Sequence, residues 1–170
     1  MNLPKLIAVA CSAIVLASCG NKPSPLVTQR QPSKSAGTFA DWCRERAFLI
    51  PEAKHTVEVL LQKAGTTECD AAKQKLSSVT ELDLSLTQIS NIKPIESLTN
   101  LTSFSLNGNK ISDIKPLESL TNLTVLNLDS NQIRDIKPLH SLTKLTRLHI
   151  RGNPIAPKTC PLKPESICQW

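Results

Sequence analysis

Apolar residues return along the middle of this chain every 22 positions, almost without drift. Leu98, Leu101, Phe104, Leu106, Ile111, Ile114 and Leu117 are followed by Leu120, Leu123, Leu126, Leu128, Ile133, Ile136 and Leu139. A copy upstream runs Val79, Leu82, Leu84, Ile89, Ile92 and Ile95, and a shortened one downstream runs Leu142, Leu145, Leu148, Ile150 and Ile155. Self-similarity at a fixed period predicts a solenoid, in which each repeat is one turn of a coil and buries its apolar face only by stacking on its neighbours. Alternation within each repeat places short strands near 80–85, 102–107, 124–129 and 146–151, forming a parallel sheet. Leu82, Phe104, Leu126 and Leu148 point inward, as do Leu84, Leu106, Leu128 and Ile150. Asn109, Asn131 and Asn153 recur at the bend, where an amide side chain can satisfy backbone groups that a curved coil leaves unpaired. Thr87 takes that place in the first repeat, so the ladder starts weakly. The return legs carry Ile-Lys-Pro at Pro94, Pro116 and Pro138; proline lacks the N–H a sheet needs, so these legs are expected to be irregular or 3-10.

The polar positions between the inward residues form the outward face of the strands. They are Glu81, Asp83 and Ser85; Ser103, Ser105 and Asn107; Val125, Asn127 and Asp129; and Arg147, His149 and Arg151. In order they read acidic, small and polar, then basic. Solubility alone does not ask for such segregation, so these twelve are the candidate ligand-binding residues of a concave face.

Both ends of the stack would expose apolar surface, and the flanks read as covers for it. Residues 39–75 predict a helical N-terminal cap: apolar groups at helical spacing from Phe39 to Ile50, stopped by Pro51, then a helix over 55–64 ended by Gly65. Val57, Leu60, Leu61 and Ala64 share one face of that helix, and Thr66 or Thr67 offers an N-cap for a short helix reaching Leu76. Trp42 and Phe48 are expected to pack against the open end of the repeats. After residue 155 the period breaks into a Pro-rich tail, 156–170, with Ile167 and Trp170 placed to cover the last repeat.

Four cysteines flank the repeats, Cys43 and Cys69 in front and Cys160 and Cys168 behind. They are expected to pair within each end, although four cysteines allow three connectivities. Zinc is disfavoured, because no close C-x-x-C spacing exists and no histidine lies near either pair. No metal or cofactor is expected.

The chain is basic, with 20 Lys and Arg against 14 Asp and Glu, yet the two signs nearly balance between 76 and 155. The surplus lies in 20–38 and in the tail. With three Phe, two Trp and no Tyr there are few stacking platforms, which argues against a nucleic-acid reader. Catalysis is equally unsupported. His55, His140 and His149 belong to no metal or triad motif, and five glycines supply no phosphate-cradling loop. Asp113 and Asp135, one coil apart, make a conceivable carboxylate pair, but the intervening Lys and Arg suggest a solvated surface.

Lys5 and the apolar run Leu6–Leu16 read as an export signal, and eleven residues are too few to span a bilayer, which takes about 20. Leu16, Ala17, Ser18 and Cys19 resemble the lipobox of bacterial lipoproteins, whereas Cys11 has too little apolar sequence ahead of it. That resemblance implies removal of residues 1–18, acylation of Cys19 and, with Gly20 next, the outer membrane. An ordinary secretory signal is the alternative. Residues 19–38, polar and Pro-containing, form a tether with a typical span of about 25 Å and a maximum near ~65 Å.

The Asp-Ile-Lys-Pro-Leu wording of the repeats resembles the 22-residue leucine-rich repeats of internalins, across residues 76–155. The flanks resemble small bacterial leucine-rich-repeat lipoproteins. The resemblance implies an α/β-type leucine-rich-repeat solenoid with a short parallel sheet on the concave side, a helical N-terminal cap and a disulfide-closed C-terminal cap. It implies a non-catalytic module that binds a protein, or else a glycan, as a monomer. A structural spacer and an inhibitor of an envelope enzyme are the other readings. Host-cell invasion is not carried over.

Overall fold

A computed structural model describes residues 37–170. The signal sequence, Cys19 and nearly all of the tether lie outside the described residues. Three helices come first, α1 at Phe39–Arg44, α2 at Pro51–Ala64 and α3 at Cys69–Ser78. Five parallel strands follow in chain order, β1 at Glu81–Asp83, β2 at Ser103–Ser105, β3 at Val125–Asn127, β4 at Arg147–His149 and β5 at Cys168–Gln169. The return legs are 3-10 turns at Lys93–Ile95, Lys115–Ser119 and Lys137–Ser141, each with its proline in the first turn. The strands are shorter than the sequence suggests, at three residues each for β1 to β4.

Register is strict. Leu82 pairs with Phe104, Phe104 with Leu126, and Leu126 with Leu148, so each inward residue lies on its counterpart in the next coil. Phe104, Leu126 and Leu148 are buried, as are Leu84, Leu106, Leu128 and Ile150, and the Leu and Ile of the return legs complete one continuous core. Leu82 is only half-buried, at the start of the sheet's first strand.

The backbone ladder extends a little beyond each three-residue strand, and side chains satisfy further backbone groups at the bends. Asn131 is buried; its Nδ2 donates to the carbonyls of Leu106, Leu128 and Asp129 at 2.9, 3.1 and 3.1 Å, while its Oδ1 accepts the amide of Ile111 at 3.1 Å. Asn109 does the same for Leu84, Leu106 and Ile89, and Asn153 for Leu128, Ile150 and Ile133. Each amide thus joins two coils. Thr87, the stand-in for Asn in the first repeat, donates to the Leu84 carbonyl at 2.8 Å. Thr102, Thr124 and Thr146 each bond the carbonyl of the matching Thr one coil earlier, and Ser119 and Ser141 reach back to Glu96 and Glu118. No buried side-chain polar atom among the described residues lacks a partner.

The N-terminal cap differs from expectation in its punctuation. α1 ends at Arg44 and the chain turns through 45–48, so the helical spacing does not continue to Ile50. Pro51 opens α2 rather than closing α1, a place where its missing N–H costs nothing. The turn sends Leu49 inward at 3% exposure and leaves Phe48 exposed at 47%, whereas Trp42 is buried in the core. Gly65 closes α2 in the left-handed conformation at φ 63°. α3 is capped at Glu68, and Thr66 instead accepts the Glu68 amide. Thr38 donates both its amide and its hydroxyl to Asp41 at the start of α1.

The cap is fastened to the first repeat by part-buried hydrogen bonds. Thr56 donates to the Asn91 carbonyl at 2.6 Å, His55 Nε2 meets the Thr87 carbonyl at 2.7 Å, and Phe39 N–H donates to Ser97 at 3.0 Å. Cys43 is bonded to Cys69, tying α1 to α3, and Arg44 bridges the same pair of helices through Asp70. At the far end Cys160 is bonded to Cys168. β5 was not foreseen. It continues the sheet by pairing Cys168 with Leu148 and Gln169 with His149, while Ile167 and Trp170 pack on the core.

Replacing Asn131 with Ala strips an acceptor from a buried amide and a donor from three carbonyls. It is expected to lower unfolding stability by about 2–4 kcal/mol in urea titrations, far more than an exposed Lys137→Ala change.

Candidate functional site

The strands set the outward residues in three rows that cross the sheet. The first is Glu81, Ser103, Val125 and Arg147; the second is Asp83, Ser105, Asn127 and His149, extended by Gln169 of β5. The third is Ser85, Asn107, Asp129 and Arg151, aligned by hydrogen bonds from Leu86 N–H to the Asn107 carbonyl, Gly108 N–H to Asp129 and Ser130 N–H to Arg151. All twelve predicted residues therefore lie on one side of one sheet. Neighbours within a row sit about 4.8 Å apart, so Glu81 and Arg147 are separated by roughly 14 Å.

Exposure rises toward the two ends. Glu81, Asp83, Arg147 and Arg151 are exposed, whereas the residues between them are half-buried. Several are occupied locally. The Ser85 and Ser105 hydroxyls bond at 2.7 Å, Asn127 Oδ1 accepts the Asp129 amide at 2.9 Å, and Asp129 Oδ1 accepts the Arg151 amide at 2.6 Å. Asp129 thereby braces the bend after β4 through the main chain and leaves the Arg151 guanidinium free. Among the described residues the guanidinium groups of Arg147 and Arg151 make no ion pair.

Asp83 accepts the Ser85 amide at 2.8 Å. With Ser105 donating to Ser85, the Ser85 proton is left for Asp83. That hydroxyl first, then the amide, holds the Asp83 carboxyl below the usual carboxylate range, and Lys63 on α2 adds to the effect. The ionised form of Asp83 is thus favoured by its own strand.

Three contributors were not in the sequence-based set. Gln169 extends the second row, and its alternation with inward Cys168 was the available signal. Lys63 approaches the acidic margin from a helix, and no strand pattern could reveal it. Leu86 sits at the rim at 73% exposure with φ 58°. Its counterparts Gly108, Ser130 and Gly152 also have positive φ, so the bend demands a left-handed residue in every coil. Leucine there is strained. A Cβ on Gly108 would meet the Leu86 side chain, which lies across it.

Elsewhere the chemistry is sparse. Asp113 and Asp135 each cap a return leg, accepting the amides of Lys115 and Lys137 at 3.0 and 2.9 Å, and so act as local caps on successive coils. His55 and His140 are bonded to backbone carbonyls in different parts of the molecule from His149. Among the described residues no three His, Cys, Asp or Glu converge as a metal site would require. No helix among them is long and apolar enough to cross a membrane.

The family described as leucine-rich repeats (two copies) matches residues 77–119 and 121–163, together half of the chain. The chain belongs to the leucine-rich-repeat family. No curated protein matches it. Among solved structures it is similar to an internalin, InlF, from Listeria monocytogenes, with 32% identity and a TM-score of 0.55 over 61% of this chain and 31% of the internalin. Internalin C2 from the same organism matches with 34% identity and a TM-score of 0.48, over 57% of this chain and 52% of that one. A leucine-rich-repeat protein from Leptospira interrogans gives 36% and 0.46, over 51% of this chain and 23% of its own. The chain thus spans less than a third of the InlF structure and about half of internalin C2.

Because the Asp83 shift is downward, its stabilisation is present above the unfolded carboxyl's pKa of about 3.9 and is lost as pH falls through the lower folded value. Ser85→Ala is expected to raise the Asp83 pKa toward the ordinary value. Carboxyl NMR titration reads this directly, and an unchanged pKa would mean Ser85 is not the cause.

Proposed function

We infer that this protein is a non-catalytic recognition module of a bacterial cell envelope, which engages a protein partner through the concave rows from Glu81 to Arg151. The observation that carries the reading is the segregation of charge across one sheet. Glu81 and Asp83 mark one margin and Arg147 and Arg151 the other; the strands between carry Ser, Asn and Val125, with Asp129 the one further acid on the face, bonded to the Arg151 main chain. A face that served solubility alone would mix the signs. The similarity to InlF supports a binding role for the repeats, since the two share sequence as well as coil geometry.

The rows suit a macromolecule better than a small ligand, because they are a sheet surface and not an enclosed cleft. Their extent limits affinity. A standard interface takes about 20–30 residues a side, so the twelve row residues alone support a modest complex. The module acts as a monomer, anchored through an acylated Cys19, with residues 19–38 letting the repeats stand off the outer membrane. Multiple acyl chains give the stable attachment that one chain does not.

Two measurements test this reading. Ser103→Trp places bulk at the centre of the face without breaking an internal hydrogen bond, and it is expected to abolish capture of the partner from envelope extract. Lys115→Trp on the return legs should leave capture intact; equal effects would remove the face from consideration. For the anchor, Cys19→Ala should move the chain into the soluble fraction, and continued membrane retention would contradict acylation there.

A further inference from the structure

The basic margin is organised along a strand as well as across the rows. Arg147, His149 and Arg151 occupy alternate positions on β4 and just past its end, so their side chains leave the sheet on one side, about 6.8 Å from one to the next. Gln169 flanks His149 from β5, and Val125 and Asn127 flank the strip from β3. Asp129, beside Arg151 in the third row, accepts the Arg151 main-chain amide and not a guanidinium. Among the described residues neither Arg147 nor Arg151 makes an ion pair, and both are exposed.

An extended polypeptide repeats its same-side side chains at this spacing, because it shares the geometry of β4 itself. Resting on the proposed concave-face reading, we propose that the β4 strip is the docking site for an extended acidic segment of a partner protein, with carboxylates at alternate positions aligned with Arg147, His149 and Arg151. Arginine suits this role, since its planar fork takes a carboxylate through two parallel hydrogen bonds. Gln169 and Asn127 offer side-chain amides to the main chain of the segment. Glu81 and Asp83, three strand steps away, repel the same segment and fix which end of the face it occupies.

The test uses the full chain and fluorescein-labelled peptides read by anisotropy. One peptide carries Glu at alternate positions separated by Ser; the second has the same composition with its Glu residues contiguous. A sulfated polysaccharide and phosphatidylglycerol vesicles serve as the competing polyanions. The alternating peptide is expected to bind at least threefold more tightly than the contiguous one. The pair R147E and R151E should weaken it by about tenfold or more. The pair K115E and K137E changes net charge equally on the return legs and should leave binding within about twofold. R147Q and R151Q, checked by thermal melting, guard against misfolding of the reversed pair and should also weaken binding.

Equal affinity for the two peptides overturns the proposal, as does tighter binding of the polysaccharide or the vesicles. So does equal loss in the return-leg pair. If the alternating peptide fails while Ser103→Trp still abolishes capture, the acidic-segment proposal falls and the concave-face reading stands. If Ser103→Trp leaves capture intact, the face itself is wrong.

Discussion

Each of the first four strands is three residues long, so besides the backbone ladder cohesion between coils rests on two further things. One is the apolar column of Leu, Ile and Phe, aligned by a register that places each side chain on its counterpart. The other is the amide of Asn109, Asn131 and Asn153, each of which holds carbonyls of its own bend and of the previous coil. Neither works alone. The column is non-directional and would tolerate slippage, whereas the amides impose a fixed step but need the dry interior that the column creates. The Thr and Ser ladders extend the same device to the return legs, where proline prevents a second sheet.

That arrangement determines what the outward face can be. With the backbone step fixed from within, outward side chains are free of structural duty except where a bend needs bracing. Asp129 and Asn127 brace the turns after β3 and β4, and Ser85 steadies Asp83. Of the charged outward side chains, Glu81 at one margin and Arg147 and Arg151 at the other make no ion pair among the described residues.

Much of this was legible because the repeat reports on itself. Asn131 could be assigned to a bend before any coordinates, since Asn109 and Asn153 stand at the same place in neighbouring copies. The inward and outward sets followed from alternation within each copy. The flanks have no second copy, and there local pattern misled. Phe48 is as apolar as Leu49, yet the turn after Arg44 exposes one and buries the other. Pro51 reads equally well as an end or a beginning, and only the docking of α2 through Thr56 and His55 decides. β5 is two residues long, too short to show a period, and Cys168 drew attention as a disulfide half instead. Leu86 was hidden for the opposite reason: it fits the apolar composition of the repeat but occupies a left-handed position that its counterparts mostly give to glycine.

The helical cap and the β5 tail stopper the stack at both ends, and this has a dimensional result. A coil cannot be added at either end without dislodging Thr56 from Asn91 or Cys168 from Leu148. The acidic and basic margins are consequently held at a constant gauge, and the molecule behaves as a short caliper whose jaws are charges. On the proposed reading a partner is selected by the distance between its own complementary groups, and that gauge changes only if a coil is inserted between β1 and β4.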